Sequence, residues 1–157
     1  MTGVQTCALP ISEVSAKHRI RVDIDALPRS IRIDPKAIDQ VITNLIANAM
    51  KYSPDAKIID VRGQVENGRA RIDVEDFGLG IDPDDLPKMF TRYFRARTST
   101  GIAGTGIGLS VVKLIVELHN GEVGIDSRKG KGTVFTIFLP LTASARDSEA
   151  APVATAA

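Results

Sequence analysis

A chain of 157 residues, 43% of them hydrophobic and 25% charged, has the material for one domain with its own core. Its formal net charge is +1 and its basic residues are dispersed, which argues against a nucleic-acid or anionic-membrane surface. No apolar run approaches the roughly 20 residues that span a bilayer, and the single cysteine, Cys7, excludes an internal disulfide and fits a reducing, cytoplasmic compartment.

Met1 to Ser12 lack the basic start and long apolar centre of a signal peptide. The order Thr2-Gly3-Val4-Gln5-Thr6-Cys7-Ala8-Leu9-Pro10-Ile11 resembles a common sequencing adapter translated in frame, so residues 1–12 are expected to be a leader foreign to the fold. The domain is expected over residues 13–141, and the Ala- and Ser-rich stretch 142–157 is expected to be a disordered tail. Arg19 to Asp25 alternates, with Ile20, Val22 and Ile24 on one side, which predicts a half-buried strand. Ser30 to Ile33 predicts a short extended piece. Asp34-Pro35 then starts a helix, with Asp as cap and Pro at the first position, where its missing N–H is harmless. That helix runs to about Tyr52 and carries Ile38, Val41, Ile42, Leu45, Ile46 and Ala49 at core spacing.

Lys57 to Val65 and Arg69 to Glu75 read as strands joined at Asn67-Gly68, a pair suited to a tight hairpin turn. A polar, Pro-punctuated segment follows, and then a second helix opens at Gly104–Leu109 and stops at Asn120-Gly121. Glu122 to Ser127 and Thr133 to Leu139 close the chain as two further strands. The sum predicts an α/β two-layer sandwich: a mixed, mostly antiparallel sheet of about five strands with about three helices on one face.

Asn44, Asn48 and Lys51 stack as a polar stripe beside the first helix's apolar face. Solvated surface and a functional edge are equally consistent with that stripe alone. Gly104-Thr105-Gly106-Ile107-Gly108 before a helix is a candidate phosphate cradle, because glycines bring backbone N–H groups close to an anion and the helix dipole favours it. It is neither a Walker loop nor a dinucleotide fingerprint. Asp76, at a strand end, can accept from an exocyclic amine, with Gly78 and Gly80 letting a flat ring lie close.

Taken in order, Asn-x-x-x-Asn-Ala-x-Lys-Tyr (44–52), Asp-x-Gly-x-Gly (76–80), Phe-x-x-Tyr-Phe-Arg (90–95) and Gly-Thr-Gly-x-Gly-Leu (104–109) resemble the N, G1, F and G2 boxes of bacterial sensor histidine kinases. The resemblance covers about Arg19 to Leu141. It implies the catalytic, ATP-binding domain of that family, with the Bergerat-type fold shared by gyrase, Hsp90 and MutL ATPases. By the same resemblance, Asn48 would ligate Mg²⁺, Asn44 would face the metal–phosphate region, Lys51 would contact a terminal phosphate and Tyr52 would lie along the nucleotide. Asp76 would read adenine, with Gly78, Gly80 and Ile81 shaping its pocket. The Gly104–Leu109 loop (Gly104, Thr105, Gly106, Ile107, Gly108 and Leu109) would hold phosphates. Residues 82–103 would form a lid anchored by Phe90 and Phe94, and Arg95 would lie near the γ-phosphate.

Gyrase-like hydrolases carry a Glu one turn before the metal-binding Asn, as general base on water. Asn44 stands there instead, and an amide cannot take a proton. This favours phosphoryl transfer over hydrolysis. A hydrolytic ATPase of the gyrase or MutL type and a non-catalytic nucleotide-sensing module stay as alternatives. The family's phosphoacceptor is a His followed by an acidic residue on a dimerisation hairpin. Neither His18 nor His119, the only histidines, has that context, and His119 is expected to pack or cap. The implied partners are therefore a hairpin elsewhere in a homodimeric parent, whose membrane attachment stays open, and a response regulator downstream; this fragment is expected to be monomeric and to bind no nucleic acid.

Overall fold

The structure, a computed structural model, describes residues 17–141, so the expected leader and tail lie outside the described residues. Five strands form one sheet: β1 (Arg19–Asp23), β2 (Ile58–Glu66), β3 (Arg69–Asp76), β4 (Glu122–Arg128) and β5 (Gly132–Pro140). Their spatial order is β1-β2-β3-β5-β4, with β1 parallel to β2 and every other pair antiparallel. The β2–β3 hairpin turns at Asn67 and Gly68, whose φ angles of 51° and 72° are those the tight turn requires.

Alternation along each strand decides the buried face. Ile59 and Val61 on β2, Ala70 and Val74 on β3, and Phe135, Ile137 and Leu139 on β5 all point into the core. Two helices cover that face: α1 (Pro35–Lys51) over β2 and β3, and α2 (Gly108–Leu118) over β4 and β5. The buried stripe of α1 is the one its periodicity predicts, from Ile38 to Ala49. Asp34 caps it, its carboxylate accepting from the N–H groups of Lys36 and Ala37 at 3.0 and 3.3 Å.

The opposite face is a ladder of charge. Arg21 donates twice to its register partner Asp60, at 2.5 and 2.6 Å, and this pairing holds the Asp60 carboxyl below the usual range. Arg71 reaches Asp73 and Glu66, Arg69 reaches Glu122, and both guanidinium groups lie over the Phe138 ring. Pairs of opposite sign along and across the strands let an uncovered face stay solvated without self-repulsion.

Three expectations are corrected. Val22 and Ile24 are 46% and 40% exposed rather than half-buried, because β1 is an edge strand that stands beyond the strands α1 covers. Ser30 to Ile33 forms no strand. The helix count among the described residues is two α-helices, not three. Between β3 and α2 only two short 3-10 turns form, Leu86–Lys88 and Arg97–Ser99, since Pro83, Pro87 and the glycines from Gly101 onward interrupt any longer helix.

The helices run in opposite senses and are tied near both ends of their contact. The Nδ1–H of His119, the last cap of α2, donates to the Ile115 carbonyl at 2.8 Å, while its Nε2 accepts the Asp34 N–H at 3.1 Å. The ring is thus a cap and a clasp, as its place in the sequence suggests. Replacing Asp34 by Ala removes both cap bonds of α1 and is expected to cost about 1 kcal/mol in urea denaturation.

Candidate functional site

A cavity of about 280 Å³ opens where the C-terminal end of α1, the end of β3, the 82–107 segment and the start of α2 converge. From α1 come Asn48, Lys51 and Tyr52; from β3 and the loop beyond it, Asp76, Gly80 and Ile81. The long segment adds Phe94 and Arg95, and the glycine loop adds Gly104, Thr105, Gly106, Gly108 and Leu109. Residues far apart in the chain, from Asn48 to Leu109 and on to Phe135, therefore share one wall.

Four of the predicted residues stand outside that wall. The Nδ2 of Asn44 donates to the Gly108 carbonyl at 3.5 Å, so this amide ties α1 to the start of α2. A Cβ on Gly78 would collide with the Tyr52 carbonyl, so this glycine serves a backbone–backbone contact and does not make room for a ring. Phe90 sets its ring edge-on to Phe135, centroids 6.3 Å apart, and anchors the segment from beneath. Ile107 is 38% exposed beside α2.

Asp76 is 4% exposed and lies in register with Thr133. It continues the core-facing series Ala70, Ile72, Val74, so a carboxylate takes a position where alternation calls for an apolar side chain. The Gly78 N–H donates to its Oδ1 at 3.0 Å. Next to it the β4–β5 turn packs main chain against main chain. Gly80 (φ 66°) leaves no space for a side chain against the Arg128 carbonyl, nor does Gly132 (φ 116°) against the Asp76 carbonyl. The Gly130 N–H donates to the Leu79 carbonyl at 2.6 Å, and Ser127 Oγ accepts the Ile81 N–H at 2.8 Å.

The 82–107 segment is folded onto this site. Asp85, 5% exposed, accepts the Arg97 N–H at 2.9 Å, which keeps its carboxyl below the usual value. Thr98 Oγ1 donates to the Gly80 carbonyl at 3.0 Å, and the Tyr93 N–H donates to the Gly106 carbonyl at 2.9 Å. Arg95 borders the cavity, yet its guanidinium donates to the carbonyls of Ser99 and Ile102, within its own loop. Lys51 holds its ammonium 5.1 Å above the Tyr52 ring, in the space that a side chain on Gly104 would take.

Sequence reasoning missed Met89, Ala96, Thr98, Ser99, Thr133 and Phe135, all of which line the cavity. For Thr133 a signal existed: it heads the core-facing series Phe135, Ile137, Leu139 and breaks its apolar run. As for a metal, no cluster of three or more His, Cys, Asp or Glu occurs among the described residues, and the residue the resemblance assigns to Mg²⁺, Asn48, brings its amide to the cavity wall.

Residues 33–143 match the family described as histidine kinase-, DNA gyrase B- and HSP90-like ATPases. The chain belongs to this family. The ATPase domain is 38% identical over 125 residues to the sensor histidine kinase ZraS of Escherichia coli, and 42% identical over 117 residues to WalK of Bacillus subtilis. These alignments cover 80% and 70% of the chain but 26% and 19% of the relatives, so the chain spans about a quarter or less of their length. Among solved structures, the mycobacterial sensor histidine kinase MprB superposes with a TM-score of 0.67 at 30% identity, covering 77% of this chain and 83% of that one. Full-length ShkA, solved in complex with AMPPNP, gives 0.66 at 27% identity, covering 80% of this chain and 27% of that one. The domain is thus the catalytic ATP-binding unit of the sensor histidine kinase type.

Burial pushes the Asp76 carboxyl up to about 6, against the opposing pull of the Gly78 and Thr133 N–H groups. The folded domain therefore holds this proton more tightly than the unfolded chain. The resulting penalty is absent below the ordinary Asp value, grows as pH rises toward 6, and is complete above it. In Asp76→Asn the penalty is gone. The stability difference between variant and parent, measured by denaturant titration, is expected to shift in the variant's favour between pH 4 and pH 7, then level off.

Proposed function

We propose that this domain binds ATP with Mg²⁺ and hands the γ-phosphoryl group to a histidine on a dimerisation hairpin supplied by the rest of a longer kinase. The observation that carries this reading is one cavity joining a buried carboxylate, Asp76, to the glycine loop that opens α2, with Asn48 and Lys51 between them. Asp76 accepts from the exocyclic amine of the base, and the loop's N–H groups and the α2 dipole take the phosphates. Lys51 adds a point charge. The donor set suits Mg²⁺, which keeps several waters and takes its other ligands from phosphates, so a single amide oxygen from Asn48 is enough. That ion would spread charge from the phosphates as transfer proceeds.

Asn44 supports transfer to histidine rather than to water. An amide cannot act as general base, and its Nδ2 is turned to the Gly108 carbonyl. Arg95 reaches a γ-phosphate only by exchanging the Ser99 and Ile102 carbonyls for it, which fits a lid that rearranges when nucleotide enters. For the hairpin, α2 offers an apolar stripe beside the phosphate end of the cavity: Ile107, Leu114 and Leu118 are 38%, 48% and 72% exposed at helical spacing. The missing three-quarters of the relatives' length has room for such a hairpin. A response regulator is the proposed final acceptor.

Calorimetry with ATP and Mg²⁺ is expected to show binding that Asn48→Ala abolishes without unfolding the domain. Mixed with a separately supplied His-bearing hairpin, the domain is expected to form acid-labile phosphohistidine. Leu118→Glu is expected to reduce that transfer at least tenfold while ATP affinity stays unchanged. Steady ATP hydrolysis by the domain alone, lost in Asn44→Ala, would overturn the transfer reading in favour of a hydrolase.

A further inference from the structure

Three side chains form one polar row across the end of the sheet. Asp76 on β3 is in register with Thr133 on β5, and Thr133 is in register with Ser127 on β4, so all three point to the same side. Asp76 and Thr133 line the cavity; Ser127 stands behind them. Ser127 Oγ makes three contacts: with the Ile81 N–H at 2.8 Å, the Gly132 carbonyl at 2.9 Å and Thr133 Oγ1 at 2.8 Å.

Only one placement of protons satisfies all three. A hydroxyl has one proton and two lone pairs. The Ile81 N–H must donate, and the Gly132 carbonyl must accept, so the Ser127 proton goes to Gly132. Thr133 must then give its own proton to Ser127. What remains on Thr133 Oγ1 is lone pairs alone. Beside it Asp76, when ionised, is also acceptor-only. The row therefore meets a ligand with acceptors and no donor.

We infer that Ser127 is a specificity-positioning residue: by consuming the Thr133 hydroxyl proton it makes the cavity select a 6-amino purine over a 6-oxo purine. An amino group brings two N–H donors to this row and is satisfied. A carbonyl brings a lone pair against lone pairs, and leaves buried acceptors unpaired, a loss that recognition sites exploit for discrimination. Ser127 touches no ligand itself and acts through Thr133. The inference rests on the reading of this cavity as an ATP site.

The test compares ATP with inosine triphosphate, which differs in carrying a 6-oxo group and a proton on N1. The parent domain is expected to prefer ATP. In Ser127→Ala the Thr133 hydroxyl is released to donate, and the ratio of the two dissociation constants is expected to narrow by about tenfold, mainly through tighter inosine triphosphate binding. Ser127→Thr, which keeps a hydroxyl, is expected to restore the parent ratio. Thr133→Val, which removes the hydroxyl altogether, is expected to weaken ATP without strengthening inosine triphosphate. Should Ser127→Ala not fold, Ser127→Cys carries the same comparison, since a thiol is a weak acceptor of similar shape. An unchanged ratio in Ser127→Ala or Ser127→Cys, or equal weakening of both nucleotides there, overturns the inference while leaving the ATP reading intact. Failure of the parent to bind either nucleotide overturns both.

Discussion

On three neighbouring strands, β3, β5 and β4, the hidden face turns from apolar to polar in one row near the end of the sheet. Ala70, Ile72 and Val74 lead to Asp76; Phe135, Ile137 and Leu139 are headed by Thr133; Val123 and Ile125 lead to Ser127. A carboxylate placed there must be satisfied or neutralised, because an unpartnered buried charge costs several kcal/mol. The Gly78 and Thr133 N–H groups supply part of that satisfaction. Burial still leaves the group ready to gain from a further donor. The rest of the cavity is arranged around this shortfall: α1 ends beside it, the 82–107 segment folds over it, and α2 begins opposite.

Each helix gives one end to the site and the other to holding the pair together. The end of α1 presents Asn48, Lys51 and Tyr52, while its start receives the His119 clasp. The start of α2 presents Gly108 and Leu109, while its end carries that clasp. Asn44 adds a second tie between the helices, close to the glycine loop. Ligand-facing groups thus sit on the ends of packed elements, as side chains at the end of α1 and with orphan N–H groups at the start of α2, and their separation is fixed by helix–helix packing.

Local signals in the sequence were reliable where local physics decides the outcome. Asp34-Pro35 starts α1, Asn67-Gly68 turns the hairpin, and the apolar period of α1 names its buried stripe because none of these depends on distant residues. The order of the four polar and glycine blocks was enough to place the fold. What the chain order hid were contacts made across it. Gly78 and Gly80 read alike as residues opening a pocket, yet Gly78 is shaped by Tyr52 and Gly80 by Arg128, far away in sequence. Val22 and Ile24 alternate as a half-buried strand should, and only the position of β1 at the sheet edge exposes them. Phe90 and Phe94 are equivalent in the sequence, but one packs under the segment and the other faces the cavity. Ser127 gave no motif and Thr133 only a break in an apolar run, since each is an ordinary strand residue until register sets them beside Asp76.

One edge of the cavity, at Gly80, is backed by main chain. Gly80 and Gly132 each meet a carbonyl so closely that no side chain fits, and Leu79 is fixed by the Gly130 N–H. A compound resting against Gly80 would lean on main-chain atoms that no substitution can delete, at a position where a side chain has no space. Escape from such an inhibitor would have to come from the rim, at Met89, Thr98 or Arg95. Those residues belong to the segment that must also shape itself around the natural ligand, so resistance and fitness would be drawn from the same few side chains.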